Sequence, residues 1–190
     1  MKKLFITLIA TILLSPIFAQ SEHLTFKGIP IDGSLADFSN QMMQKGFTYL
    51  GTEDGSAVFT GEFASYKDCS IGVISSHSTK TVSKVGVIFP KCDTWPKLYS
   101  NYSQLKELLI IKYGEPTEIT EMFQGNEPDD DNLKMLDVQM NRCKYISLWE
   151  TEKGTIILAI TYANYKSFVT LVYEDKINSD AVRNSALDDL

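Results

Sequence analysis

The sequence predicts an α+β fold made of two tandem units, each with one helix followed by four antiparallel strands. Two observations carry this prediction. Apolar residues recur at helical spacing in two segments, and each segment ends at a glycine that precedes four alternating or β-branched runs. A helix laid on one face of an antiparallel sheet buries both apolar surfaces. We therefore expect helices packed on one sheet face, in units spanning residues 20–92 and 93–176.

The first residues, MKKLFITLIATILLSPIFAQ, have the composition of a secretory signal peptide. Two lysines precede an apolar stretch at 4–14, and small Ala19 follows a Ser-Pro break. This stretch is shorter than the roughly 20 apolar residues that span a bilayer. We expect residues 1–19 to be removed, which leaves a periplasmic or secreted chain with no stable membrane anchor. A retained anchor is the alternative.

The mature chain is expected to be acidic. Removal of Lys2 and Lys3 leaves 18 − 2 = 16 basic residues against 24 acidic ones, a formal charge of −8. An acidic surface repels phosphate backbones. Only two arginines, Arg142 and Arg183, are present to contact phosphates or base edges. We therefore expect no nucleic-acid partner.

The first unit begins with a predicted helix at 35–45, with Ser34 as its N-cap and Gly46 at its end. Asp54-Gly55 between two strand-like runs predicts a type I′ hairpin, because both central residues of that turn need positive φ. The four predicted strands are FTYLGTE, SAVFTGEF, CSIGVISS and VSKVGVIF.

The second unit begins with a helix that starts after Thr94 and ends at Gly114, where Pro116 prevents its continuation. The four predicted strands are TEITEMF, KYISLWE, TIILAITYA and SFVTLVYE. The remainder, 177–190, is a polar tail that fits either a short helix or disorder.

The connection 124–141 is predicted to be a long solvated loop and a place for partner contacts. Its acidic run does not have the spacing of a calcium-binding EF-hand. Counted from Asp129, the sixth and twelfth positions hold Lys134 and Met140 instead of glycine and glutamate.

The order of elements and the corner KYGEP at 112–116 carry two resemblances. The tandem order resembles the β-lactamase-inhibitor-protein-like architecture over most of the mature chain. The corner is similar to that of small outer-membrane assembly lipoproteins of the BamE type, although their lipid-anchoring cysteine is missing here. Both resemblances imply a chain that binds other proteins, and neither assigns functional residues.

Three cysteines follow the predicted signal peptide: Cys69, Cys92 and Cys143. If HSTKT connects two antiparallel strands, Cys69 and Cys92 lie opposite each other, at a Cα separation that suits a disulfide. An oxidising compartment permits this bond. We predict a Cys69–Cys92 disulfide and a buried Cys143 thiol.

A mixed aromatic face in the second unit is the candidate binding surface. If the aliphatic pair of KYISLWE faces the helix, Tyr145 and Trp149 stand on the opposite sheet face, with Phe168 beside them. Tyrosine and tryptophan dominate binding hot spots. The alternative is that these rings pack in the core.

We therefore expect an exported soluble binding or accessory protein of the cell envelope, with another envelope or extracellular protein as its partner. The sequence predicts no catalytic residue, metal site or cofactor, because it has no clustered Cys/His spacing, phosphate loop or serine elbow. Two alternatives are a small apolar ligand carrier and a secreted hydrolase. The hydrolase would use a Cys/His pair or a carboxylate pair such as Glu62/Asp68 or Glu150/Glu152.

Overall fold

The computed structural model describes residues 22–188, and the predicted signal peptide lies outside them. The helices are α1 (Leu35–Gln44), α2 (Trp95–Tyr113), α3 (Asp131–Gln139) and α4 (Lys176–Asp188). The strands are β1 (Thr25–Phe26), β2 (Ile29–Pro30), β3 (Thr48–Glu53), β4 (Ser56–Phe63), β5 (Tyr66–Ser75), β6 (Val82–Ile88), β7 (Glu118–Phe123), β8 (Cys143–Thr151), β9 (Gly154–Ala163) and β10 (Lys166–Asp175). The predicted α+β class is confirmed.

Eight strands form one antiparallel sheet in the order β3-β4-β5-β6-β10-β9-β8-β7, and β1 pairs with β2 separately. The strands β3–β6 form a meander that we call the first half. The strands β7–β10 form the second half, and the two halves meet where β6 pairs with β10. Each half therefore places its last strand at the centre of the sheet.

The predicted helix stops and turns are present. Ser34 accepts a hydrogen bond from the Asp37 backbone N–H at 3.1 Å and begins α1. Gly114, at φ +84°, ends α2. Asp54 and Gly55 both have positive φ in the β3–β4 hairpin, as a type I′ turn requires.

The strand register assigns side chains to two faces. One face is covered by α1 and α2, whose buried residues join the same core as the sheet. A row of paired residues crosses this covered face through Phe59, Ile71, Val87, Leu171, Leu158 and Ser147. On the opposite face, which we call the open face, the corresponding row is Val58, Gly72, Gly86, Val172, Ile157 and Leu148.

The predicted loop at 124–141 is wrong in its centre, where α3 forms. Asp130 caps this helix by accepting hydrogen bonds from the backbone N–H groups of Asn132 and Leu133 at 2.8 and 3.2 Å. Met135 and Val138 bury its apolar side. The first half has no helix between its first and second strands, so the helices differ between the two halves.

The polar tail is helical through residue 188 and is fixed at its start. The buried Asp175 carboxylate accepts hydrogen bonds from the backbone N–H groups of Asn178, at 3.0 Å, and Leu24, at 2.8 Å. The Asn178 side-chain amide donates to Ile31 O at 2.9 Å. These bonds join α4 to the beginning of the described chain.

Candidate functional site

The predicted aromatic binding face is wrong for two of its three residues, because they lie on the opposite side of the sheet from the one predicted. Tyr145 and Trp149 lie on the covered face and are 7% and 1% exposed, whereas Ile146 is on the open face and 38% exposed. Trp149 Nε1 donates to the Gly114 carbonyl at 2.8 Å. Phe168 is on the open face but only 9% exposed. The large rings face the helices because they have the most apolar area to bury.

A buried polar network lies behind these rings. The Tyr102 hydroxyl is 2.6 Å from Ser147 Oγ and donates to Glu121 Oε1 at 3.1 Å. Lys106 forms an ion pair with the same carboxylate. Burial is the main cause that raises the pKa of Tyr102, so this phenol stays protonated. The network joins α2 to β7 and β8, and its geometry is that of a structural contact.

The predicted Cys69–Cys92 disulfide is not present: all three cysteines are buried free thiols. Ser70 pairs with Ile88, so the position opposite Cys69 is 89 and not 92. The Cys92 backbone N–H donates instead to Ser167 O at 2.8 Å, at the start of β10. A register symmetric about HSTKT would place Cys92 opposite Cys69, whereas the observed register is shifted by three residues (92 − 89 = 3).

The residues considered for hydrolysis are a buried thiol and exposed carboxylates. Burial, followed by Asp137 and Glu127, raises the pKa of Cys143 to about 12, which keeps it a neutral thiol. Glu150 and Glu152 are exposed at the end of β8 and in the β8–β9 turn. The other candidate carboxylate pair, Glu62 and Asp68, is exposed near the β4–β5 turn. Within residues 22–188, no cluster of three or more His, Cys, Asp or Glu side chains is placed to hold a metal ion.

The open face presents apolar side chains to solvent in both halves. Their exposed fractions are 38% for Val58, 41% for Ile74, 43% for Ile88 and 38% for Ile146. Helix α4 lies over one end of this face, where Ser179 and Val182 line a recess together with Ile74, Lys84 and Glu174. The remainder of the face carries no helix of the described chain.

Two glycines form a directly paired position in the middle of the open face. Gly72 on β5 lies opposite Gly86 on β6. A Cβ added at Gly72 would meet nothing within 4 Å, and one at Gly86 would only touch the Val172 side chain at 4.0 Å. Neither glycine has positive φ. The matching IGVI and VGVI runs are the sequence signal that locates this pair.

The second half contains a cleft between β8 and β9. Their pairing ends at Ile146 opposite Ala159, although β8 begins at residue 143 and β9 continues to residue 163. The cleft has a volume of about 500 Å³. Its apolar lining comes from Val138, Cys143, Ile146, Ala159, Ile160 and Tyr162. Because residues of both sheet faces line it, the cleft reaches from the open face toward α3.

A second recess of about 300 Å³ adjoins this cleft and shares Asn141 with it. Its other lining residues are Met122, Gln124, Arg142 and Lys144. Four of the five lining side chains can therefore donate N–H hydrogen bonds. Arg142 also contacts Asp137 at 2.6 Å, which fixes the position of its guanidinium.

Comparisons with protein-family models, with curated proteins and with solved structures gave no match to this chain. Among the described residues, no helix is long and apolar enough to cross a membrane.

Proposed function

We propose that this chain is an exported accessory protein of the cell envelope that binds another protein on the open face of its sheet. The observation that carries the proposal is the set of exposed aliphatic residues, Val58, Ile74, Ile88 and Ile146, on a face that α4 covers at one end only. Ile88 and Ile146 lie in one row of paired residues across the sheet, and grouped exposed apolar residues are typical of interaction sites. Export is supported by the composition of residues 1–19.

The paired glycines strengthen this proposal. A glycine inside a strand lowers stability by roughly 0.5–1 kcal/mol relative to alanine. At Gly72 and Gly86, neither backbone conformation nor crowding within the chain requires glycine. Glycines at such positions suit the close approach of another molecule. A partner that contacts the centre of the open face would therefore benefit from their missing side chains.

The experiment is site-specific photo-crosslinking from the mature chain, produced in its native envelope, with the crosslinking residue at position 88. We expect one discrete crosslinked protein. In a chain that carries no crosslinking residue, we expect the Ile88→Glu substitution to abolish capture of that protein. Leu108→Glu is the matched control, because Leu108 is 51% exposed on α2, on the other side of the sheet. Equal capture by both variants would remove the open face as the binding site. Crosslinking of the chain to itself would instead make the face an interface between copies.

We also propose that the two halves are related units, as the resemblance to the β-lactamase-inhibitor-protein-like architecture implies. The mirrored order of the strands about the β6–β10 pair supports this, and α3 is then an insertion in the second half. If the units are related, residues 93–188 produced alone should dimerise through β10. In such a dimer, the β10 strand of a second copy would take the place that β6 occupies beside β10 in the full chain. A monomeric folded fragment, measured by light scattering, would contradict this proposal.

A further inference from the structure

The interrupted pairing of β8 and β9 creates a binding site of a particular chemistry. In the other hairpin of the second half, β9 pairs with β10 along its whole length, from Gly154 opposite Asp175 to Ala163 opposite Lys166. The β8–β9 pairing stops four residues before β9 ends, at Ala159 (163 − 159 = 4). The cleft is therefore a local separation of two strands in an otherwise continuous sheet.

The cleft is large enough for a small molecule, and six of its nine lining residues are apolar, whereas Gln139, Asn141 and Thr161 add polar groups. Its volume of about 500 Å³ lies within the range of roughly 300–1,000 Å³ that is usual for small-molecule sites. Cys143 contributes a neutral thiol to the lining. Ile146 and Ala159 bring its mouth to the open face. The apolar side of this lining suits an unbranched hydrocarbon chain, because burying a polar group there without a hydrogen bond would cost free energy.

The adjoining recess has the opposite character. Gln124, Asn141, Arg142 and Lys144 contribute amide, guanidinium and ammonium donors, and no carboxylate lines either the recess or the cleft. The mature chain has a formal charge of −8, so a recess lined by cations and amides stands out against the whole molecule. Another recess, between α4 and the β8–β9 turn, shows the contrast, because four carboxylates line it together with two cations: Glu150, Glu174, Asp175 and Asp180 with Lys176 and Arg183.

We propose that the β8–β9 cleft and the adjoining recess together bind a single-chain carboxylate amphiphile. The hydrocarbon chain occupies the cleft between Cys143, Ile146 and Ala159, and the carboxylate accepts hydrogen bonds from Lys144, Arg142 and Asn141. Charge complementarity selects an anionic head through the Lys144 ammonium, because the Arg142 guanidinium is already paired with Asp137. This site shares Ile146 with the protein-binding face proposed above, but the two proposals are tested by separate ligands and variants, so either one stands if the other fails.

The test is calorimetric titration of the mature chain with dodecanoate and with dodecyltrimethylammonium, each below its micelle concentration. We expect dodecanoate to bind at one site, and the cationic probe to bind at least about tenfold more weakly, a difference of roughly 1.4 kcal/mol. Acetate, which has the head group alone, should not bind measurably. Equal binding of both long-chain probes would overturn the proposal, as would the absence of dodecanoate binding.

Two variants locate the site. Lys144→Glu should weaken dodecanoate binding at least about tenfold, whereas Lys45→Glu, which changes the net charge equally at the end of α1, should leave it unchanged. Ala159→Phe fills the cleft and should abolish binding, whereas Val58→Phe adds the same ring to the open face of the first half and should not. Unchanged binding in Lys144→Glu would overturn the assignment even if Ala159→Phe failed to fold.

Discussion

The two halves of the sheet have the same strand order but are packed differently. In the first half the covered face carries Phe59 among aliphatic residues, Phe63 packs there against Phe26 and Phe89, and the 10-residue helix α1 lies over it. In the second half the covered face carries Tyr145, Ser147 and Trp149, and the 19-residue helix α2 lies over it. The second half also contains α3 and the cleft between β8 and β9.

This difference indicates which half carries specific chemistry. Aliphatic β-branched side chains pack well on a pleated surface, and the strands of the first half stay paired along most of their length, with register shifts at Tyr49/Gly51, Gly61/Phe63 and Ile74/Ser75. Aromatic rings and a buried polar network fix the second half by a few specific contacts, so a cleft can persist beside them. The first half therefore extends the open face, and the second half adds the cleft and the donor-lined recess.

The largest expected effect comes from Trp149. Trp149→Ala should lower the free energy of unfolding by about 4 kcal/mol, because it leaves a large cavity and the Gly114 carbonyl loses its indole donor. Leu148→Ala, on the open face of the same strand, should cost about 1 kcal/mol or less. Urea denaturation of both variants measures the difference. Similar losses would show that the aromatic residues do not hold the second half together.

Gly154 is expected to give the next largest effect. A Cβ at this position would lie 2.1 Å from the Glu174 carbonyl oxygen, and its φ is +150°. Gly154→Ala should therefore lower the free energy of unfolding by about 3 kcal/mol. Gly72→Ala in the first half should instead raise it by roughly 0.5–1 kcal/mol, since nothing lies within 4 Å of the added atom. Equal stability of the two variants in urea would contradict the close approach of β10 to the β8–β9 turn.

The polar network should give a smaller effect with a characteristic pattern. Tyr102→Phe removes the hydroxyl that contacts Ser147 and should cost about 1.5 kcal/mol, because the buried serine then lacks its partner. Ser147→Ala added to this variant should restore part of the loss. A double-mutant cycle measures the coupling between the two residues. Strict additivity would show that the two hydroxyls do not interact.

The smallest effect is a dependence of stability on alkaline pH. Burial raises the pKa of Cys69 to about 11 and that of Cys143 to about 12, both from an ordinary value of 9.0. The native state therefore retains these protons when the unfolded state has lost them, so stability falls as pH rises above about 9.

Unfolding in urea at pH 8 to 11 measures this dependence. Cys69→Ala and Cys143→Ala should each flatten it by a similar amount, because both native thiols keep their protons over most of this pH range. A variant that left the dependence unchanged would show that its thiol loses its proton as readily in the native state as in the unfolded state.

Local sequence signals predicted most elements, because each signal acts through its own backbone. Ser34 begins α1, Asp54-Gly55 forms a turn, and Gly114 followed by Pro116 ends α2. The helix α3 was not predicted because its short apolar side is mixed with acidic residues that resemble a solvated loop. The Cys69–Cys92 pairing was wrong because register depends on the whole ladder and not on the midpoint of a connection.

The sequence alone determined the alternation of side chains along each strand, the places where helices stop, and a composition typical of exported proteins. Only the tertiary structure decided which set of alternating side chains faces the helices. The period of two separates Tyr145 and Trp149 from Ile146 and Leu148, but it does not say which pair is buried. That choice follows from packing, since α2 covers the face on which the larger rings remove more apolar area from water. The same packing left Ile146 and Ala159 at the mouth of the cleft, where two strands separate for a reason that no local pattern contains.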